Sequence, residues 1–245
     1  MHDSRPPPPL EILHRDEHLL WVAKPSGMAV HRGDARDRIT AIDVVRDLIG
    51  AQVYTVHRLD RATSGVMVFG LSAAVARILG DAFAEGRVHK RYLALVRGIP
   101  KTPEGVVDHP IERREDGPKV AARTAWRVLA TVRIPAPYAL VEARPETGRR
   151  HQIRRHLKHL GHPLIGDVKY GKGDHNRLFR ERYGLHRLAL HAADLGLAHP
   201  ETGELVRFSA AVPPDLADPL ERLGIPAAAW MAEPLAEPLA DPKLA

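Results

Sequence analysis

The segment His57-Arg58-Leu59-Asp60-Arg61-Ala62-Thr63-Ser64-Gly65 sets one carboxylate between two arginines. Runs rich in β-branched residues flank it, Val53 to Val56 before and Val66 to Leu71 after, so the nine residues read as a turn joining two strands. Thr63, Ser64 and Gly65 supply tight-turn chemistry that fixes the loop backbone. The neighbouring cations favour an ionised Asp60, which suits a nucleophile or an electrostatic stabiliser. An Asp that merely caps a turn through ion pairs with Arg58 or Arg61 has the same local pattern, and such surface pairs are common. Taken alone, the segment leaves both readings open.

Working outward, Leu19 to Val22 is a short strand candidate that ends at the turn Lys24-Pro25-Ser26-Gly27. Thr40 caps a predicted helix carrying Ile42, Val45 and Ile49, and Ser72 caps another whose Val75, Ile78, Leu79 and Phe83 share one face. Tyr92 to Val96 reads as a strand entered through Lys90 and Arg91. Val120 to Val141 reads as two strands joined near Pro135-Ala136-Pro137. A helix is predicted from about Arg150 to Leu160, with Ile153, Leu157 and Leu160 toward the core. Later strands over Arg187 to Leu197 and Leu205 to Ser209 are joined by the turn His199 to Gly203. Strands outnumber helices and alternate with them, which predicts an α+β fold in one catalytic domain over residues 10–225. Residues 1–9, with four consecutive prolines, are expected to form a disordered arm. Recurrent proline is expected to keep 226–245 an extended tail, with Trp230 pinned to the body.

Composition narrows the chemistry. There is no cysteine, which excludes disulfides, thiolate nucleophiles and Cys-ligated metal or iron–sulfur centres. No apolar run is long enough to cross a bilayer and the N-terminus is Pro-rich rather than a signal peptide, so a cytoplasmic location is expected. A net charge of +6 favours a polyanionic partner. That charge is concentrated: Arg144 to His159 holds five Arg, one Lys and three His against the single acid Glu146. Helical spacing would put Arg150, Arg154 and Lys158 on one stripe and His151, Arg155 and His159 on the next. Like charges stacked in that way repel, unless an RNA backbone or a buried carboxylate offsets them. A solvated basic face fits the same spacing. A histidine metal cluster fits it poorly, because the arginines repel a cation and no carboxylate ligand accompanies them.

HRLDRATSG, followed by KRYLALVRG (Lys90 to Gly98), TGRRHQIRRHL (Thr147 to Leu157) and LALHA (Leu188 to Ala192), resembles the RluA-type pseudouridine synthases in content and order. The likeness runs from about Leu10 to Leu223. The opening LEILHRDEHLLWVAKPSGMAVHRG and the later GHPLIGDVKYGKGDHNR are most similar to the branch that modifies tRNA. The resemblance implies a mixed, largely antiparallel sheet with flanking helices, and isomerisation of uridine to pseudouridine without cofactor, metal or nucleotide. It implies a monomer acting on tRNA, at uridine 65 in the acceptor–T-stem region. Ribosomal RNA is the alternative substrate, and a non-catalytic RNA-binding protein on the same scaffold is the alternative class. Residue by residue, it makes Asp60 the essential carboxylate, stacks Tyr92 on the target base and pairs Arg154 with Asp60. Arg58 would fill the space the base vacates, and Leu190 would form an apolar wall beneath it. Arg58, Arg61, Arg149, Arg150 and Arg155 are assigned to RNA binding, with Lys24 as binding or support. His57 and His191 are read as structural. A glycosidase-like hydrolase ranks low, since these motifs offer Asp60 no second carboxylate.

Overall fold

A computed structural model describes residues 9–32, 39–113 and 117–231. The Pro-rich arm, apart from Pro9, and residues 232–245 of the tail lie outside them. Strands β1 (Glu11–Arg15) and β2 (Leu19–Lys24) form a hairpin. Helix α1 (Ala41–Ile49) starts where Thr40 and Asp43 cap one another: Asp43 N donates to the Thr40 hydroxyl, and Thr40 N to the Asp43 carboxylate. Strands β3 (Tyr54–Thr55) and β4 (Ser64–Gly70) bracket the Asp60 segment as the sequence predicts. Helix α2 (Ala73–Ala84), capped by Ser72, buries Val75, Leu79 and Ala82. Ile78, expected on that face, is 45% exposed. It lies about 100° round the helix from Leu79 and falls on the flank of the stripe.

After α2 come β5 (His89–Arg97), β6 (Glu104–Asp108), a small hairpin of β7 (Ile111–Glu112) and β8 (Lys119–Val120), then β9 (Arg123–Val132) and β10 (Tyr138–Pro145). Helices α3 (Gln152–His159) and α4 (Gly173–Leu178) follow, the latter continued by one wider turn through Tyr183. Strands β11 (Leu190–Ala198) and β12 (Leu205–Ser209) and helices α5 (Pro214–Arg222) and α6 (Ala228–Met231) complete the described chain. The large sheet runs β1-β2-β4-β11-β5-β10-β9-β6, with β3 on β4 and β12 on β11. Among the described residues only β4 and β11 pair in parallel, so the sheet is mixed and largely antiparallel.

Alternation along β5 divides the core between the two faces of this sheet. Leu93 and Leu95 pack with Phe179, Tyr183, Leu216, Leu220 and Trp230 of the C-terminal helices. Ala94 and Val96, on the opposite face, pack with Ile153 and Leu157 of α3. Trp230 is therefore pinned to the body, but by a helical turn rather than an extended tail. Residues 227–233 contain no proline and four alanines, so nothing prevents that turn. Among the described residues no helix is long and apolar enough to cross a membrane.

The parallel junction sets the position of the site. Ser64 pairs with His191 and Gly65 with Ala192, and Ala192 in turn pairs with Tyr92. The Asp60 turn thus opens beside the middle of β5. At this junction Gly65 has φ 123, and a Cβ would collide with the Ala192 backbone. Gly65→Ala is accordingly expected to destabilise the fold by about 3 kcal/mol or more. A urea unfolding midpoint close to that of the wild type would contradict this account.

Candidate active site

Asp60 lies on a turn closed by the bond from Thr63 N to its own carbonyl, 2.9 Å. The Lys24–Gly27 turn clasps that loop from below. Gly27 N donates to Arg61 O at 2.8 Å, Ser26 Oγ to Ala62 O at 2.8 Å and Arg61 Nε to Gly27 O at 2.9 Å. Lys24 Nζ reaches three carbonyls, those of Pro25 and Met28 at 2.8 Å and that of Arg61 at 3.4 Å. Burial, aided by nearby Arg187, pushes its ammonium down to about 7. Lys24 is 1% exposed, which withdraws it from RNA contact and leaves it the supporting role. Lys24→Met keeps the volume but strips these carbonyls of a donor. It is expected to cost about 2–3 kcal/mol of stability and to slow turnover about tenfold by loosening the loop. Unchanged thermal melting and activity would count against this role.

Beyond the junction, Ser64 Oγ lies 2.8 Å from His191 Nδ1, and His191 Nε2 donates to Ala210 O at 3.0 Å. The imidazole thus accepts from the serine hydroxyl, while Arg187 donates to the same hydroxyl at 2.6 Å. Both Ser64 and His191 are buried, and burial pushes the imidazole down to about 4. This closed pair holds the strands together and has no access to substrate.

The basic segment departs from its predicted helix. Arg150 and His151 precede α3, which begins at Gln152, and His151 is left-handed with φ 55. The cause is Gln152, whose side-chain oxygen accepts from Thr147 Oγ1 and Arg149 N and whose amide donates to Arg123 O and Thr124 Oγ1. These bonds fold residues 147–151 back against β9 and prevent an earlier helical start. Arg154, on the predicted basic stripe, is 8% exposed. Its Nη1 donates to Asp60 Oδ2 at 2.9 Å. Its Nε and Nη2 donate to the two oxygens of Asp167 at 2.7 and 3.0 Å. Asp167 Oδ1 also accepts from the backbone N–H groups of Lys169 and Tyr170. Burial opposes the charge on Asp167, but the Arg154 bonds and these backbone donors outweigh it and hold the carboxyl below its ordinary range. Arg154 likewise resists burial through both carboxylates, and its guanidinium lies 5.1 Å from the centre of the Tyr170 ring.

A cleft of about 1160 Å³ opens above Asp60, and Tyr92, Arg154 and Leu190 line it together. Burial first, then the Asp60 charge, pushes the Tyr92 phenol upward, so it is a proton donor rather than a base at neutral pH. Arg58, Arg149 and Arg150 are exposed on the cleft walls, and Lys90 of β5 lines the same cleft. Two other assigned arginines sit elsewhere. Arg155 turns away from the cleft and donates to the Glu112 carbonyl at 2.8 Å, and Arg61 is exposed beside Gly27. His57 also lines the cleft but stacks on Phe83 at 4.5 Å and accepts from Val68 N, its imidazole pushed down to about 3 by burial.

Three residues of the site escaped the sequence reading: Asp167, Tyr170 and His151. A second carboxylate does stand near Asp60, brought by the fold from outside the catalytic motifs. The signal for Asp167 was present in Gly166-Asp167-Val168-Lys169-Tyr170-Gly171, where an Asp before a turn accepts from backbone N–H groups two and three residues on. Both its oxygens are committed to Arg154 and to that turn. It therefore orients the arginine and is not free to act as a glycosidase's second acid.

One carboxylate free to react, fixed by a buried arginine under basic walls, has the chemistry to act on a polyanion. The chain belongs to the RNA pseudouridylate synthase family, whose profile matches residues 18–159, and it is an isomerase. tRNA pseudouridine synthase C of Vibrio parahaemolyticus is 42% identical, with 84% of this chain and 92% of that one covered. The protein of the same name from Salmonella typhi is 45% identical, with 80% and 82% covered. Among solved structures, human RNA pseudouridylate synthase domain containing 4 superposes with a TM-score of 0.72 at 30% identity, covering 87% of this chain and 93% of that one.

Proposed function

We propose that the protein isomerises uridine in tRNA, at position 65 in the acceptor–T-stem region, with Asp60 as the reacting group. The observation that carries the chemistry is the Asp60–Arg154 pair on the floor of a cleft walled by Arg58, Arg149 and Arg150. The tRNA substrate is supported by the names and the 42–45% identity of the relatives.

Uridine and pseudouridine contain the same atoms, so the reaction balances without any co-reactant. The N1–C1′ bond breaks, the uracil turns, C5 bonds to C1′, the C5 hydrogen leaves as a proton, and N1 takes one up. A stacked base is out of reach, so the nucleotide must first flip out, which costs a few kcal/mol. Phosphate contacts from the cleft walls offset that cost, and Arg58 fills the vacated stack. Asp60 then either attacks C1′, to be displaced when C5 bonds there, or removes the C2′ proton and returns it as C5 bonds to C1′. Both steps use the ionised carboxylate, which Arg154 holds through one oxygen while leaving the other free. Tyr92 and Leu190 bound the space for the freed base, and the phenol, kept protonated, can donate to its developing negative charge.

Tritium release from unmodified tRNA carrying C5-labelled uridine tests this reading, followed by mapping of the modified position. Release at position 65 is the expected result. Release only from ribosomal RNA would move the substrate and keep the chemistry. Tight tRNA binding with no release from either RNA would favour a binding protein.

A further inference from the structure

Arg154 secures only one oxygen of Asp60. The other, Oδ1, faces His151 Nε2 at 3.7 Å. On its far side the His151 ring meets Tyr170: Nδ1 lies 3.1 Å from the Tyr170 hydroxyl. His151 is also the only non-glycine residue with positive φ among the described residues. A histidine held in that conformation carries a backbone cost that a residue without a function would not need. The rotated backbone carries the side chain to the cleft edge, 15% exposed, between Asp60 and Tyr170.

We infer that Tyr170 and His151 form a relay that sets the orientation of Asp60, with His151 as a second positioning residue. This rests on the pseudouridine synthase reading above. The argument is one of donors and acceptors. A neutral imidazole has one N–H and one lone pair. If Nδ1 carried the hydrogen, the Nε2 lone pair would face the Asp60 carboxylate and repel it. If Tyr170 donates its hydroxyl hydrogen to Nδ1, Nε2 carries the hydrogen and points it at Oδ1. The 3.7 Å gap is longer than a hydrogen bond, so the contact is poised and closes with a small rotation of Asp60 as the nucleotide enters. Oδ1 has two lone pairs. With one taken by His151, the other is fixed in direction toward the ribose, and Arg154 fixes the far oxygen. Two anchors thus define the carboxylate plane that one anchor leaves free to turn.

The charged groups around the ring set its protonation. Burial, Arg154 and Arg150 disfavour the imidazolium, while Asp60 and Asp167 favour it, and the balance lies below the ordinary histidine value. The neutral ring is therefore the working form at neutral pH. An imidazolium would pair with Asp60 and blunt its reactivity. The Tyr170 bond to the Nδ1 lone pair stabilises the neutral ring, so its loss raises the imidazole pKa and moves the acid limb of activity to higher pH.

The test is single-turnover tritium release across pH by wild type, His151→Asn and Tyr170→Phe, with tRNA binding measured in parallel. Asparagine tolerates the left-handed backbone, and phenylalanine keeps the ring beside Arg154. His151→Asn is expected to melt near the wild-type temperature, to bind tRNA within about twofold and to react about 10- to 100-fold more slowly. Tyr170→Phe is expected to fall between the two at neutral pH, with its acid limb displaced upward. A wild-type rate in His151→Asn, or a Tyr170→Phe profile superimposable on that of the wild type, would overturn the relay alone. Absence of release by the wild type itself from any RNA would instead overturn the functional reading beneath it.

Discussion

Asp60→Asn is expected to leave the protein folded and tRNA-binding while lowering single-turnover isomerisation by about 10⁴-fold or more. The amide has the size of the carboxylate, so packing is preserved. It has no negative charge with which to attack C1′, and it is too weak a base to take the C2′ proton. Folding survives because Arg154 keeps its two bonds to Asp167 at 2.7 and 3.0 Å when the Asp60 contact weakens. The guanidinium is not orphaned, and the stability change should stay within about 1 kcal/mol. Tritium release from C5-labelled tRNA and thermal melting measure the two halves of this expectation. Activity within about tenfold of the wild type would remove Asp60 from the chemistry. Loss of melting cooperativity would instead show that the aspartate is needed for folding.

This separation of reaction from folding follows from how the charge is distributed, and there the sequence was only partly legible. The Asp60 turn, the caps at Thr40 and Ser72 and the hairpin of β9 and β10 could be read because each depends on neighbours a few residues away. The fate of the basic cluster depends on distant acids. Read as a string, Arg144 to His159 looks like a run of phosphate contacts. In the fold, Arg144 bonds Glu142 at 2.7 Å, Arg154 joins Asp60 and Asp167, and Arg155 holds Glu112. Arg149 and Arg150 stay exposed at the cleft because the Gln152 anchor keeps them out of the helix. Arg91 was read only as the entrance to a strand. It is buried between Glu142 at 2.6 Å and Asp194 at 2.9 Å, which come from β10 and β11 on either side of β5. Periodicity within one segment cannot reveal such partners, because they are chosen by strand order. The same limit hid His151, whose place in a helical stripe was a sound inference from spacing until a buried glutamine shifted the helix start.

Arg154→Leu is expected to damage both fold and activity, and its pH dependence identifies the cause. The leucine leaves Asp167, 1% exposed, with only the N–H groups of Lys169 and Tyr170 for its charge. Breaking a buried pair from one side typically costs about 3–5 kcal/mol, and Asp60 loses its anchor in the same change. Neutralising the stranded carboxyl relieves part of that penalty. In the wild type, Asp167 is held below its ordinary pKa, so its stabilising contribution is present above the unfolded value of 3.8 and is lost as pH falls through the folded value. In Arg154→Leu the carboxyl is buried without its cation, its pKa rises, and it takes up a proton at a higher pH than the unfolded chain does. The stability gap between the two proteins should therefore narrow as pH falls from 7 toward 4. Arg154→Lys separates charge from geometry. A single ammonium restores part of the stability, but it cannot present the planar fork that bridges Asp167 and Asp60 together. Its isomerisation rate should stay about 100-fold below that of the wild type. Urea midpoints at several pH values, with tritium release at neutral pH, distinguish the cases. A gap between Arg154→Leu and wild type that does not change with pH would mean that lost packing, rather than a stranded Asp167 charge, causes the damage. A lysine variant as active as wild type would mean that Asp60 needs only a nearby positive charge, and that the guanidinium bridge has no part in aiming it.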